Sequence, residues 1–201
     1  MYYIITILVS MILIVIGNSV FSLPIEFTNV LWLALETTIY TTCVIAVDGI
    51  FAFVIRHMTP MKWYKPGKRF FKVSKKEKSF YNAIKIKRWK DKVPELGSST
   101  TGFTKSEFKS SSDPKYLERF IIETNYGTIV HLANALFGFL IMFIPCYLLP
   151  YSHGFSVWFP VFIVNFVLSL LPVCILRYTN YTLQRLYDKS LKKSAQITNE
   201  K

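Results

Sequence analysis

The sequence predicts an all-α membrane protein with four transmembrane helices, a basic cytoplasmic loop and an interfacial helix between the second and third spans. Apolar residues make up 52% of the 201 residues, and the mean hydropathy is +0.33. A soluble domain of this length needs more polar surface than such a composition supplies. Two stretches, 1–25 and 124–176, contain no Asp, Glu, Lys or Arg. The net charge of +12 is therefore concentrated outside the apolar stretches.

Four spans follow from these apolar stretches, because crossing roughly 30 Å of hydrocarbon takes about 20 apolar residues. The spans are predicted at about residues 2–20, 31–55, 126–149 and 155–176. The stretch 124–176 is too long for one span, and it divides at the turn-forming sequence Pro150-Tyr151-Ser152-His153-Gly154. The first span has no basic residue before it, which favours an uncleaved span over a secretory signal. We expect a single membrane domain over 1–201, with a loop at 56–125 and a tail at 177–201.

The orientation follows from the distribution of Lys and Arg. Segment 56–119 carries 18 of the 24 basic residues, and the tail from Arg177 onward carries the other six. The connections at 17–30 and 150–156 carry none. Because basic loops stay on the cytoplasmic side, both termini and the middle loop are predicted to be cytoplasmic in a multi-pass protein of the cell membrane.

The three cysteines and three histidines exclude two further classes of protein. Cys43, Cys146 and Cys174 are an odd number and lie in apolar stretches, so a disulfide framework is not expected. The histidines are scattered and stand near no cysteine pair, so no metal site and no bound cofactor are predicted. The oligomeric state cannot be inferred from the chain.

The middle loop combines positive charge with aromatic residues, and residues 80–91 have the spacing of a short amphipathic helix. One interpretation is attraction to anionic membrane lipids, which is worth about 1 kcal/mol per basic residue near the surface. The other is a site for a phosphorylated soluble substrate, such as the phosphates of coenzyme A. Nucleic acid is not an expected partner, because the basic run is held at the bilayer and lacks a reading module.

Ionisable residues inside the predicted spans are candidates for function, because a charge in hydrocarbon is costly. At 1.5 Å per residue, Asp48 lies about 10 Å inside span 2 and His131 about 12 Å above Glu123. An Asp48–His131 dyad could accept a proton from a hydroxyl, and Glu123 could line the same cleft. The alternatives stay open: a hydrogen-bonded structural His131, an Asp48 bonded to a Thr or Tyr across helices, and a Glu123 paired with Arg119.

Three stretches together resemble a known family. They are Lys85 to Gly97 with its Trp-Lys-Asp-x-x-Pro-Glu run, Tyr116 to Thr124 followed by His131, and Pro172 with Cys174 to Tyr178. In this order, over roughly 60–186, the chain resembles the glycosyl-4,4'-diaponeurosporenoate acyltransferase family of small bacterial membrane proteins. The best-known members complete the carotenoid pigment staphyloxanthin. The chain departs from the family pattern after Arg177-Tyr178, where Thr179-Asn180 follows.

The resemblance implies transfer of a fatty acyl group, with acyl-CoA as co-substrate, onto a sugar hydroxyl of a glycosylated carotenoid acid or related glycolipid. In that reaction His131 is the expected base, and Arg177 or Tyr178 the expected donor to the oxyanion. The phosphates of the acyl donor would be bound by the basic residues Lys85, Lys87, Arg88 and Lys90. Two roles are open for Trp89-Lys90-Asp91: an interfacial anchor, or catalytic help from Asp91.

Two other classes of function compete with the enzyme. The first is a non-enzymatic accessory or binding protein whose basic loop docks a partner. The second is a small transporter in which Glu36 and Asp48 carry ions or protons. Glu36 is expected near the outer interface, where partial solvation would be enough to keep it charged.

Overall fold

The computed structural model of this chain describes residues 2–21, 27–90, 93, 113–144 and 152–199. These residues form helices and contain no strand, which confirms the all-α class. The α-helices are α1 Tyr2–Phe21, α2 Phe27–Met58, α3 Lys75–Ala83, α4 Ile86–Trp89, α5 Pro114–Phe137 and α6 Phe155–Asn199. Short 3-10 helices lie at Met61–Trp63, Arg69–Phe71 and Gly138–Phe143.

Four of these helical segments are long and apolar enough to cross a membrane, and the protein is a membrane protein. They are Ile4–Phe21, Thr28–Met58, Pro114–Phe143 and Phe155–Gln196. The first two agree closely with the predicted spans. The third begins at Pro114, earlier than predicted, because α5 already forms in the polar approach to the span. The fourth continues as α6 through the basic tail.

The chain divides into two compact units. Unit 1 contains Met1–Val54 and Val130–Leu171, and unit 2 contains Ile55–Ile129 and Pro172–Lys201. Helices α2, α5 and α6 each contribute residues to both units. The expectation of a single membrane domain stays a prediction.

Unit 1 has an apolar core built from α1, α2, the 3-10 helix after α5, and the start of α6. Its buried members are Ile14, Leu33, Tyr40, Val44, Ile141, Val157 and Val161. Many other apolar side chains of α1 stay exposed, such as Leu8 at 52% and Leu13 at 62%. Such exposure is expected of a helix whose outer face contacts lipid.

Unit 2 has a separate core, in which Leu117, Phe120 and Ile121 of α5 pack on Leu183 of α6. The amphipathic segment predicted as one interfacial helix forms two, α3 and α4. The helix breaks because Lys85, between them, has a left-handed backbone with φ of 53°. Ser74 caps the start of helix α3, because its hydroxyl accepts a hydrogen bond from the backbone N–H of Glu77 at 3.0 Å.

Candidate functional site

Arg177 and Glu77 form an ion pair within unit 2. The Arg177 Nη2 donates to Glu77 Oε2 at 2.9 Å, Nε donates to Oε1, and Nη1 donates to the carbonyl of Phe70 at 3.1 Å. The two side chains are only 18% and 24% exposed. A guanidinium has five N–H donors, and three of those of Arg177 are used in these contacts. The predicted oxyanion donor therefore also anchors α3 and the 3-10 turn before it.

Tyr81 is a further hydrogen-bond partner of the Glu77 carboxylate. Its hydroxyl donates to Glu77 Oε1 at 2.6 Å. The Arg177 guanidinium holds the pKa of Glu77 below its usual value, whereas burial raises the pKa of Tyr81. At neutral pH the Glu77 carboxylate is charged and the Tyr81 phenol keeps its proton. The ring of Tyr178 meets that of Tyr81 edge-on at 6.2 Å, so Tyr178 packs against the same cluster.

Glu123 is held by a second arginine of unit 2. Both of its carboxylate oxygens accept from Arg56 Nη2 at 3.0 Å, and the Arg56 guanidinium lies over the Tyr126 ring at 5.7 Å. The Tyr126 ring stacks on Tyr64 with 3.8 Å between centroids. The sequence offered Arg119 as the partner at helical spacing, and it gave no indication of Arg56.

Two buried asparagines that were not predicted as site residues link α5 to α6 within unit 2. Asn125 is 0% and Asn180 2% exposed. Asn180 Nδ2 donates to Asn125 Oδ1 at 2.9 Å and to the carbonyl of Phe71 at 3.1 Å. Asn125 Nδ2 donates to the carbonyl of Tyr64 at 2.7 Å. The signal for them was an Asn close in sequence to each predicted site residue, Glu123 and Arg177.

Helix α4 and the residues that flank it carry the predicted phosphate-binding residues. Lys85, Lys87 and Arg88 are exposed, whereas Trp89 and Lys90 are half-buried. Ile86 is 0% exposed and anchors the helix, and Trp89 Nε1 donates to the carbonyl of Ile84 at 3.0 Å. Asp91 lies outside the described residues, so its two predicted roles stay open.

Asp48 and His131 belong to unit 1. The Asp48 carboxylate lies beside the side-chain amide of Asn165, and Asp48 Oδ1 is buried without a hydrogen-bond partner among the described residues. His131 is half-buried on α5, one turn before Asn134. The Asp48–His131 dyad stays a prediction. Asn165 is the neighbour of Asp48 that the sequence analysis missed.

Glu36 differs from the sequence expectation, because it is 0% exposed and not partly solvated. Its carboxylate accepts from the backbone N–H groups of His153 and Gly154 at 2.9 and 3.0 Å. Ser152 Oγ lies 3.5 Å and His153 Nδ1 3.2 Å from the same carboxylate. These donors directly precede α6, whose helix N-terminus favours negative charge. Glu36 therefore joins α2 to the start of α6 within unit 1.

The described ranges contain no group of three or more His, Cys, Asp or Glu side chains that could hold a metal ion. Unit 2 contains two arginine–carboxylate pairs, Arg177–Glu77 and Arg56–Glu123. Such pairs orient helices, and their remaining N–H groups can bind a carbonyl or phosphate oxygen.

The fold and the site define a membrane protein with two arginine–carboxylate pairs and a basic surface. The family model of glycosyl-4,4'-diaponeurosporenoate acyltransferase matches residues 60–189, and the chain belongs to this family. The match spans 130 of the 201 residues and includes the arginine, asparagine and basic side chains described for unit 2, except Arg56. It confirms the family that the sequence resembled. No curated protein and no solved structure matches the chain.

Proposed function

We propose that the protein is a multi-pass O-acyltransferase of the bacterial cell membrane. It moves a fatty acyl group from acyl-CoA onto a sugar hydroxyl of a glycosylated carotenoid acid or related glycolipid. Both termini and the basic loop are cytoplasmic, where acyl-CoA is supplied. The observation that carries this proposal is the family match over 60–189, because the family is one of acyltransferases.

The chemistry needs a base, a donor to the oxyanion, and a leaving thiolate. The sugar hydroxyl oxygen attacks the thioester carbonyl carbon while its proton passes to His131. The carbonyl oxygen becomes an oxyanion, for which Arg177 or Tyr178 stays the predicted hydrogen-bond donor. The C–S bond then breaks, and the coenzyme A thiolate takes the proton from His131. The products are an ester and the free thiol.

The basic surface of α4 supports the choice of acyl-CoA as donor. Its exposed Lys85, Lys87 and Arg88 can contact the phosphates of coenzyme A, and guanidinium groups bind phosphate with charge-assisted hydrogen bonds. Membrane lipids with anionic headgroups would also be attracted there. The two attractions are compatible for a protein that takes a soluble donor to a membrane-bound acceptor.

The contacts of Glu36 weaken the alternative of a transporter. An ion carrier must release and rebind its ligand, whereas the Glu36 carboxylate is occupied by backbone N–H donors before α6. The alternative of an accessory protein is distinguished by activity, because an accessory protein alone forms no ester.

The test uses the purified full chain in lipid nanodiscs with palmitoyl-CoA and a glucosylated carotenoid acid. We expect mass spectrometry to show a product heavier than the acceptor by one acyl group, with free thiol released in equal amount. The His131→Ala protein serves as the matched control and should give much less of both. If the unmodified protein forms no acylated product with carotenoid or other glucosylated lipids, the enzyme proposal is wrong and the accessory function replaces it.

A further inference from the structure

Residues 61–72, between α2 and α3, contain the same four-residue pattern twice. In each pattern two aromatic residues stand between two basic ones, and each pattern overlaps one of the 3-10 helices of this region. The two patterns are Lys62-Trp63-Tyr64-Lys65 and Arg69-Phe70-Phe71-Lys72. Pro66-Gly67 forms the turn between them, and Gly67 has the positive φ, 82°, that the third residue of a type II turn requires. The segment therefore consists of two similar arms joined by a turn.

The second aromatic residue of each arm is buried in unit 2. Tyr64 is 3% and Phe71 5% exposed, and their ring centroids lie 6.0 Å apart. The carbonyl of Tyr64 accepts a hydrogen bond from the side-chain amide of Asn125. The carbonyl of Phe71 accepts one from Asn180, which also donates to Asn125. One bonded pair of buried asparagines, on α5 and α6, therefore fixes the backbone of both arms.

The first aromatic residue of each arm is exposed instead. Trp63 is 55% and Phe70 57% exposed, although each adjoins an aromatic residue that is buried. The five basic side chains of residues 61–72 are exposed as well, and the segment contains no Asp or Glu. An aromatic ring beside basic groups suits the headgroup region of a membrane, where the ring contacts apolar chains and the charges meet phosphates. Because the backbone is fixed from inside, this surface is already formed before any lipid binds.

Two observations place this surface at the boundary of the hydrocarbon. Helix α2 is long and apolar enough to span the membrane up to Met58, and Trp63 follows Met58 by five residues. The carbonyl of Phe70 accepts a hydrogen bond from Arg177 at 3.1 Å. Arg177 is the first charged residue after the charge-free stretch 124–176, and such a stretch ends where the chain leaves the hydrocarbon. Both exposed rings are therefore close to the same membrane surface.

We propose that residues 61–72 are a preformed anchor for anionic phospholipid at the membrane surface where α2 ends. Trp63 and Phe70 insert between headgroups, and the basic side chains beside them bind lipid phosphates. Charge complementarity identifies this occupant, because the segment carries five basic residues and no acidic one. The anchor is distinct from the basic surface of α4, and it does not depend on the proposed enzymatic function. The two interpretations of the basic middle loop, lipid and soluble phosphate, thereby belong to different segments.

The test measures which lipids contact Trp63 in the full chain. The protein is placed in nanodiscs of phosphatidylcholine with a minor fraction of phosphatidylglycerol, and one of the two lipids carries bromine atoms that quench tryptophan fluorescence. The Trp63→Phe protein, which keeps the other tryptophans, gives the background to subtract. We expect each brominated phosphatidylglycerol to quench Trp63 at least about fivefold more than each brominated phosphatidylcholine, the preference that one basic residue near the surface supplies. Equal quenching per lipid, or quenching only by iodide in the water, would overturn the proposal.

Substitution of the basic residues locates this preference. One variant combines Lys62→Gln, Arg69→Gln and Lys72→Gln, whereas Lys65 is kept because its Nζ lies 3.4 Å from Glu118 Oε1. We expect Trp63 of this variant to be quenched equally by the two lipids. The matched control replaces with Gln the same number of exposed tail residues, Lys189, Lys192 and Lys193, and it should keep the preference. Equal loss in the two variants would place lipid binding elsewhere and overturn the proposal.

Coenzyme A separates the two sources of phosphate. Added in excess to the same nanodiscs, it should leave the preference of Trp63 for phosphatidylglycerol unchanged, because its phosphates are assigned to the surface of α4. Loss of the preference on addition of coenzyme A would assign residues 61–72 to the soluble donor, and the lipid anchor would be wrong.

Discussion

Arg177 and Glu77 are separated by 100 residues, yet they form a two-point ion pair within unit 2. The pair joins α6 to the first turn of α3, and a further bond from Arg177 to the carbonyl of Phe70 extends it to the preceding 3-10 turn. One guanidinium therefore positions the segment that leads to the basic helix α4. A residue predicted from sequence as a donor to the oxyanion has a structural role as well.

Removal of one partner of this pair should destabilise the protein. In Glu77→Gln the Arg177 guanidinium loses its counter-charge in a largely buried position. We expect the free energy of unfolding to fall by about 1–3 kcal/mol, the range for a buried polar group that loses its partner. Thermal unfolding in detergent measures this change. Lys76→Gln is the matched control, because Lys76 is an exposed residue of the same helix; an equal loss there would contradict the prediction.

The same pair predicts a dependence of stability on pH. The pKa of Glu77 is lowered in the folded protein, mainly by the bond to Arg177, from an ordinary value of 4.5. Its contribution is therefore complete above pH 4.5 and is lost as the pH falls through the lowered folded-state pKa. The melting difference between the unmodified protein and Glu77→Gln should stay constant from pH 8 to pH 5.5, within about a degree, and shrink only in more acidic buffer. A difference that already disappears near pH 6 would contradict this assignment.

His131→Ala should lower turnover by roughly 10²–10⁴-fold, the usual effect of removing a positioned proton acceptor. The variant should still fold and insert, because alanine suits a membrane helix. Asp48→Asn should also reduce turnover, since it removes the carboxylate that would orient the imidazole. If the two residues act as one unit, the double variant should be little worse than His131→Ala alone.

Steady-state acyl transfer with the two single variants and the double variant measures this coupling. Full activity of His131→Ala would exclude it as the base. If the losses of the two single variants multiply in the double variant, Asp48 and His131 act independently and the dyad is excluded.

Conversion of Lys85, Lys87, Arg88 and Lys90 together to Gln should weaken acyl-CoA binding and flatten its dependence on salt, because these charges are mostly exposed and therefore screened. Titration of palmitoyl-CoA at several salt concentrations measures both effects. The control variant carries Gln in place of Lys189, Lys192 and Lys193 of the tail, and it should bind palmitoyl-CoA like the unmodified protein. If the α4 variant alters only association with anionic vesicles, the basic surface binds lipid and not the acyl donor.

The predicted topology can be tested with single cysteines in a chain whose Cys43, Cys146 and Cys174 are replaced by alanine. A membrane-impermeant maleimide added outside intact cells should label cysteines placed at Phe27 and Ser152. It should miss those at Ser98 and Ser194 until the cells are opened. External labelling at position 98 would reverse the orientation.

The number and approximate place of the apolar helices were determined by the sequence alone. Charge-free stretches of sufficient length predict spans because transfer of a charge into hydrocarbon is costly, and this rule acts on each segment independently. The family was also recognisable from short motifs between Lys85 and Tyr178. Both kinds of information are contained in residues that are close together in the chain.

The tertiary structure alone decided which charged and polar side chains meet. Spacing on one helix offered Arg119 as a partner of Glu123, and the structure adds Arg56 of another helix, which binds Glu123 across 67 residues of sequence. Likewise, Glu36 was expected to meet solvent, and instead it caps the start of α6 across 118 residues at Gly154. Long polar side chains can satisfy a buried charge from any neighbouring helix, and the choice depends on packing that no local pattern contains. Sequence therefore identifies which groups need partners, whereas the packing of helices decides which partners they obtain.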